Sequence, residues 1–392
     1  MSDFHLDLED TSLAYADKSD AELKEKYRLF RMLDSPFLNA LGTKATNFAL
    51  SMGLPVEGLI KSTIFEQFCG GETIEECEAT IKKLDRHKIG AILDYSVEGM
   101  STEGAFDDTK DEIIRTILRA KGDDAIPFSV FKVSGIAPLG TLERLSLKKK
   151  LDAKSQAKCE RIFGRVNEIC AAAYEIGQPL FIDAEESWIQ EAIDRMAIEM
   201  MEKYNRERPI IFTTLQLYRT DRLQYLKETR RQAKLDGYFL GVKLVRGAYV
   251  EKERERAKKM GYPSPVHSTK EATDQDYDAA IDYCLKHVDD VAFVAATHNE
   301  HSTRILAEKM FDRGIPPDHP NVFFSQLFGM GDNISYKLAS LDYRVSKYVP
   351  YGPVADSIPY LIRRAEENSS AAGQVSRELS MIKREMKRRN IY

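Results

Sequence analysis

From residue 90 onward, short apolar runs rich in β-branched and aromatic residues alternate with longer helical stretches, and the alternation recurs eight times. The runs are Ala91–Asp94, Phe128–Val133, Leu180–Asp183, Ile210–Leu215, Phe239–Val245, Val291–Ala296, Val322–Gln326 and Val345–Val349. Each precedes a plausible helix, such as Cys159–Ile176, Glu186–Tyr204 or Thr269–His287. Alternating strand and helix predicts a parallel sheet with right-handed crossovers. Eight such units over about 280 residues predict an α/β chain folded as a (βα)8 barrel more than an open doubly wound sheet.

The flanks read differently. Residues 1–89 give helix after helix (Ala21–Met32, Pro36–Met52, Val56–Phe68, Ile74–His87), broken at Pro36, Gly53-Leu54-Pro55 and Gly70-Gly71, and predict an N-terminal arm or cap. The barrel then occupies 90–370, and 371–392 form a basic helical tail ending KREMKRRNIY. Such a tail is a solvated helix or, as the weaker alternative, a membrane-surface contact.

Composition narrows the function classes. A net charge of −5 argues against a nucleic-acid partner, and the chain has no apolar run of the roughly 18 residues a membrane span needs. The acidic start, MSDFHLDLED, has neither a signal core nor transit-peptide character, so an intracellular location is expected: cytoplasmic, with a peripheral place on the inner face of the membrane, or alternatively the matrix side of the inner mitochondrial membrane. Cys69, Cys77, Cys159, Cys170 and Cys284 form no CxxC pair and read as buried thiols. His298 and His301 lack further ligands nearby, so no metal site is expected.

In a barrel, chemistry gathers where strands end. Here the ends are polar in turn: Asp94 to Glu98, Lys132, Asp183-Ala184-Glu185-Glu186, Gln216, Lys243 and Arg246, Thr297-His298-Asn299, Ser325-Gln326 and Tyr351. Beyond them, Tyr360, Arg363, Arg364 and Glu367 share a helical face at i, i+3, i+4 and i+7. A solvated charged face has the same spacing, but two guanidiniums beside an aromatic wall also suit a small carboxylate-bearing ligand. Neither GxGxxG nor GxxxxGK[ST] occurs; Gly329-Met330-Gly331 is followed by Ile334 where a third glycine would stand. Ser268-Thr269-Lys270 opens a helix that could hold a phosphate.

Assembled, these residues resemble the proline dehydrogenase family, FAD-dependent (βα)8 enzymes. The resemblance rests on FKVSG (131–135), FIDAEE (181–186), KLVRGAY (243–249), ATHN (296–299), QLFGMGD (326–332), YVPYGPV (348–354) and YLIRRAEEN (360–368). It implies a distorted barrel with FAD at its mouth. It implies Arg363, Arg364 and Lys132 on the carboxylate of L-proline, Asp183 and Glu367 orienting those cations, and Tyr249, Leu327, Tyr351 and Tyr360 around the ring. Gln216, Lys243, Val245, Gly247 and Ala248 would lie along the flavin and its linker, Lys270 at the pyrophosphate, and Thr297, His298, Asn299 and Gln326 against the rest of FAD. Lys243 stands where bifunctional bacterial members carry Arg, which resembles the pattern of single-function mitochondrial enzymes, and with the few residues given after Arg364 a single-function enzyme without an aldehyde dehydrogenase domain is expected.

The activity so implied is oxidation of L-proline to pyrroline-5-carboxylate, with electrons passed to a membrane quinone and pyrroline-5-carboxylate dehydrogenase as the downstream enzyme. Three rivals are kept. Hydroxyproline dehydrogenation needs room for a ring hydroxyl, against which a bulky Tyr351 at the pocket wall argues. A Schiff-base aldolase on the same fold would use Lys132 or Lys243. A silent amino-acid sensor would keep the pocket without turnover.

Overall fold

The computed structural model describes residues 4–34, 57–97, 99–147, 152–358, 360–361 and 374–392. Eight strands form one parallel sheet: β1 (Ile89–Tyr95), β2 (Ser129–Lys132), β3 (Leu180–Asp183), β4 (Ile211–Gln216), β5 (Leu240–Val245), β6 (Val291–Ala296), β7 (Val322–Leu327) and β8 (Val345–Tyr351). All eight runs expected from the sequence are strands, with ends that differ by at most two residues. The ladders run β1-β8-β7-β6-β5-β4-β3-β2, so the sheet curls almost to closure and leaves β1 and β2 as its facing edges. The Ala91 N–H, which a closed ladder would consume, donates instead to the Ala125 carbonyl at 2.7 Å. Higher on the same seam, Lys132 of β2 reaches both oxygens of Asp94 on β1, at 3.0 and 3.3 Å. The barrel is distorted at this seam.

Alternation along each strand sorts the side chains into two cores. Ile92, Val130, Phe181, Phe212 and Val294 point into the barrel with Phe128, whose ring stacks on Phe181 at 4.5 Å and meets Phe212 and Phe323 edge-on at 5.5 and 4.8 Å. Leu93, Phe131, Ile182, Leu244, Phe293 and Val349 point out, against the ring of helices. Local chemistry sets the helix ends. Ser19 and Glu22 form a reciprocal capping box before Asp20–Leu33, Thr269 caps Lys270–Lys286, and Gly177, at φ +72°, turns the chain after Ala153–Ile176.

Outside the barrel, the helix Asp20–Leu33 lies on the C-terminal helix Gln374–Arg388. Leu23, Phe30 and Leu33 meet Val375, Leu379, Ile382 and Met386 in a satellite core that also takes in Met330, Tyr360 and Leu361. The tail's apolar stripe is therefore spent inside the fold. Several of its cations are tied down as well: Arg377 to Glu9 and Glu300, Arg384 to Glu9, and Arg389 to Asp20 and Glu385. This leaves little of the tail to insert into a membrane. Among the described residues no helix is long and apolar enough to cross one. The expected helix Pro36–Met52 lies outside the described residues, and all five cysteines are buried and free.

Candidate active site

At the C-terminal mouth of the barrel, the inward positions that are apolar lower down become polar. Asp94 follows Ile92 on β1, Lys132 follows Val130, Asp183 follows Phe181, Thr214 and Gln216 follow Phe212, Lys243 follows Gly241, and Tyr348 shares the interior of β8. The centre of this layer is Asp183. Its Oδ1 accepts from the Lys243 ammonium and, at 3.3 Å, from the Thr214 hydroxyl; its Oδ2 accepts from the Tyr348 hydroxyl at 2.6 Å. Burial alone would raise the Asp183 carboxyl, but Lys243 and Lys132, with the Tyr348 hydroxyl, hold it below the usual range. Lys243 also lies between two aromatic rings, its Nζ 4.9 Å from the Phe181 centroid and 4.8 Å from that of Tyr348. The mouth thus carries a fixed, charge-balanced floor: Lys243 on Asp183 and Lys132 on Asp94.

Beside this floor opens a cavity of about 210 Å³ between the ends of β1, β2 and β3, walled by Tyr95, Ile113, Lys132, Glu185, Tyr249 and Lys252 among others. It suits a small amino acid better than a larger ligand. Two carboxylates stand on its β3 side. Glu186 is ion-paired with Lys252. Glu185, buried, accepts the Ser134 backbone N–H at 2.9 Å, and burial pushes its carboxyl up to about 7.

The expected substrate-side residues divide. Lys132 and Tyr249 line the cavity, Leu327 is half-buried on an inward position of β7, and Tyr360 is buried near the Tyr348 hydroxyl. Arg363, Arg364 and Glu367 lie outside the described residues. Tyr351 requires correction: it is on the other face of β8. Its ring is fully buried among the outer helices, where its hydroxyl meets the Thr116 hydroxyl at 2.7 Å and donates to Glu112 Oε1 at 2.8 Å. The tyrosine that β8 presents to the mouth is Tyr348, two pleats from Ser346 and Pro350 and paired in register with Ile92. Strand periodicity would have revealed this, since Tyr348 and Tyr351 differ by an odd number of residues.

On the other side of the mouth, Gln216 is buried at the end of β4 and its Oε1 has no hydrogen-bond partner among the described residues. A buried acceptor in that state fits a donor brought by a bound cofactor. Gly247, at φ +122°, sits where a Cβ would come within 2.6 Å of the Tyr218 ring; neighbouring Val245 is half-buried and Ala248 exposed. Lys270 lies at the start of its helix, paired with Asp274 at 2.6 Å. Other expected cofactor residues are turned partly into the protein. Thr297 accepts from Arg246 at 2.7 Å, Asn299 caps its own helix, Gln326 bonds the Thr297 carbonyl at 3.2 Å, and the His298 Nε2 accepts the Leu327 N–H at 3.2 Å. Arg246, which sequence reasoning gave no role, holds this rim together by bonding Asp274, Thr297 and Ser302 and by packing 4.2 Å over the Tyr277 ring.

Comparison with known proteins agrees with this geometry. The proline dehydrogenase family model matches residues 77–377. Among curated relatives, the carbapenem antibiotics biosynthesis protein CarD of Pectobacterium carotovorum subsp. carotovorum is 36% identical over 85% of this chain and 86% of its own. Mitochondrial proline dehydrogenase 1 of Dictyostelium discoideum is 33% identical over 98% of this chain and 75% of its own, and the human protein of that name is 39% identical over 64% and 42%. Among solved structures, proline utilization A from Bdellovibrio bacteriovorus, inactivated by N-propargylglycine, superposes with a TM-score of 0.73 at 20% identity. It shares the barrel fold over 93% of this chain, which spans only 38% of that longer protein. With the family model matching residues 77–377 and a curated proline dehydrogenase 33% identical over 98% of the chain, this protein is a member of the proline dehydrogenase family of oxidoreductases.

Proposed function

We propose that the chain oxidises L-proline to pyrroline-5-carboxylate with FAD as its hydride acceptor, and passes the electrons to a quinone. The observation that carries this reading is the Asp183–Lys243 pair, buried and capped by the half-buried Tyr348, flanked by the Lys132 cavity on one side and the orphaned Gln216 acceptor on the other. FAD, when bound, supplies an electron-deficient ring that accepts a hydride. Gln216, Lys243 and Gly247 would border that ring and Lys270 its pyrophosphate, while Thr297, His298, Asn299 and Gln326 would meet the remainder from the rim. Lys132 would meet the substrate carboxylate together with Arg363 and Arg364, and Tyr249, Leu327 and Tyr360 would enclose the ring, with Glu367 and Asp183 orienting the cations.

In this reading the protein acts through orientation and charge. Asp183 fixes Lys243 and Tyr348 so that neither reorganises during the reaction. The Schiff-base alternative is disfavoured because Lys132 and Lys243 are each engaged by a buried carboxylate. The argument from Tyr351 against hydroxyproline falls with its placement, and comparing kcat/KM on the two substrates decides that point. A peripheral position at an intracellular membrane and a downstream dehydrogenase for the product belong to the same proposal, as does the division into arm, barrel and tail at residues 89 and 370.

The test is an anaerobic visible spectrum of the purified protein before and after L-proline. Bleaching of a flavin band supports cofactor, substrate and hydride transfer together. A band that persists with proline overturns the substrate, and protein that takes up no FAD overturns the cofactor.

A further inference from the structure

A secondary amine with a carboxylate on the adjacent carbon is an ammonium zwitterion at neutral pH, and an ammonium nitrogen has no lone pair with which to push out a hydride. One N–H proton must leave before the neighbouring C–H bond can break. The cavity wall should therefore hold a group able to receive that proton, and this requirement rests on the function proposed above.

Of the carboxylates that border the mouth among the described residues, three are committed to cations. Asp183 has both oxygens engaged, by Lys243 and Thr214 on one and Tyr348 on the other. Asp94 holds Lys132 with both of its oxygens. Glu186 is paired with Lys252. Glu185 differs: it is buried, lines the cavity, and its Oε1 is held by a neutral donor, the Ser134 backbone N–H at 2.9 Å. Its own backbone N–H donates to Gln190 Oε1 at 2.8 Å, which pins the residue at the strand end. We infer that Glu185 is the proton acceptor for the substrate's ammonium.

The step balances simply. The ammonium N–H bond breaks heterolytically, its proton goes to the Glu185 carboxylate, and its electron pair stays on nitrogen. That pair then forms the C=N bond as the ring carbon gives its hydride to the flavin, leaving a protonated imine. A substrate whose carboxylate meets Lys132 brings its nitrogen, one carbon away, into the same cavity as Glu185. The charged groups that face Glu185 are Glu186, next in the chain, which favours the protonated form, and Lys132 across the β2–β3 edge, which opposes it; burial is the larger influence. The balance keeps Glu185 able to take and release a proton near neutral pH, where a general base works best.

The decisive experiment is stopped-flow reduction of the FAD-loaded full chain by L-proline between pH 5.5 and 9, for wild type, Glu185→Gln and Glu185→Asp. Glutamine keeps the shape and can still accept the Ser134 N–H, so flavin content and visible spectrum should be retained. The wild-type rate should rise with pH through an inflection near neutrality. Glu185→Gln should lower the plateau by about 100-fold and abolish the inflection, and Glu185→Asp should restore an inflection at a shifted pH. An unchanged inflection in both variants, with rates within about threefold of wild type, overturns the assignment alone. A wild type that proline cannot reduce at any pH overturns the proposed function, and this assignment with it.

Discussion

Replacing Asp332 by Asn should destabilise the protein by about 3–5 kcal/mol. Asp332, Lys26, Lys347 and Glu378 form a cluster, each no more than 7% exposed, contributed by four separate segments. Asp332 accepts from Lys26 at 2.8 Å and from Lys347 at 2.9 Å, and Glu378 accepts the Gly331 N–H. The Asn variant preserves shape but leaves two buried ammonium groups whose shared remaining carboxylate is Glu378, pushed by burial toward its neutral form, with Asp17 acting on Lys26 and the Met330 and Leu327 carbonyls accepting from Lys347. Breaking a buried pair costs about 3–5 kcal/mol. The exposed pair Lys88–Asp342, equally short at 2.7 Å but 74% and 70% exposed, provides the control, since Asp342→Asn should cost less than about 1 kcal/mol. The double variant Asp332→Asn with Lys347→Met should be more stable than Asp332→Asn alone, because it removes one stranded ammonium. Urea midpoints at constant m measure all three. The cluster has a pH signature too. Burial would raise the Asp332 carboxyl, but Lys26, Lys347 and Lys18 hold it well below its usual range. Its contribution is therefore complete above the unfolded carboxylate pKa of about 4 and lost as pH falls below it, a loss the Asn variant should not show. An Asp332→Asn protein within about 1 kcal/mol of wild type would refute this account of how the arm and tail are held.

Tyr348→Phe removes a 2.6 Å hydrogen bond to Asp183 and should lower kcat/KM for proline by about tenfold or more, whereas Tyr351→Phe should cost about 1–3 kcal/mol of stability and leave KM unchanged. The opposite pattern would return Tyr351 to the site. Gly247→Ala forces a Cβ into the Tyr218 ring at a φ of +122°; about 1–3 kcal/mol of strain should appear as a lower Tm and weaker FAD retention by equilibrium dialysis, and an unperturbed variant would show that the turn has slack. Folded Glu185 keeps its proton up to about pH 7, while the unfolded chain releases it near 4.5, so stability should fall by roughly 3 kcal/mol as pH rises across that window. Glu185→Gln should flatten that slope in pH-resolved urea titrations, and an unchanged slope would mean that the carboxyl ionises freely in the fold.

How far the sequence was legible follows from which signals are local. Strands such as Leu180–Asp183 and Val291–Ala296 are bounded by turn residues and need no knowledge of neighbours, so their limits were readable to the residue. The seam between β1 and β2 was not readable, because it depends on where Asp94 and Lys132 meet in space, 38 residues apart in the chain. The β8 tyrosines were misread for a different reason. Motif position suggested Tyr351, while period-two alternation, present in the same seven residues, assigns Tyr348 to the interior with Ile92 and Tyr351 to the helices with Val349. The tail was under-read because a basic, amphipathic helix has the same pattern whether its apolar stripe meets lipid or, as here, the helix Asp20–Leu33.

The charges at the described mouth constrain what must come from outside it. Lys132 lies on Asp94 and Lys243 on Asp183, two cations against two anions. Glu186 cancels Lys252, and Glu185 adds no positive charge in either state. A carboxylate entering this floor would gain little net attraction from the described groups, so in the proposed reading Arg363 and Arg364 would bring the surplus that binds proline. A guanidinium–carboxylate hydrogen bond contributes about 1.5–3 kcal/mol, which corresponds to roughly a 10- to 150-fold rise in KM when one fork is removed. Arg363→Met should therefore raise KM for L-proline by that factor and leave turnover of pyrrolidine, the same ring without its carboxylate, nearly unchanged. Steady-state kinetics on both substrates separate the two effects. Equal losses on proline and pyrrolidine would mean that the arginine shapes the cavity instead of supplying charge, and an unchanged KM for proline would mean that the balance of charge at the floor shifts when substrate binds.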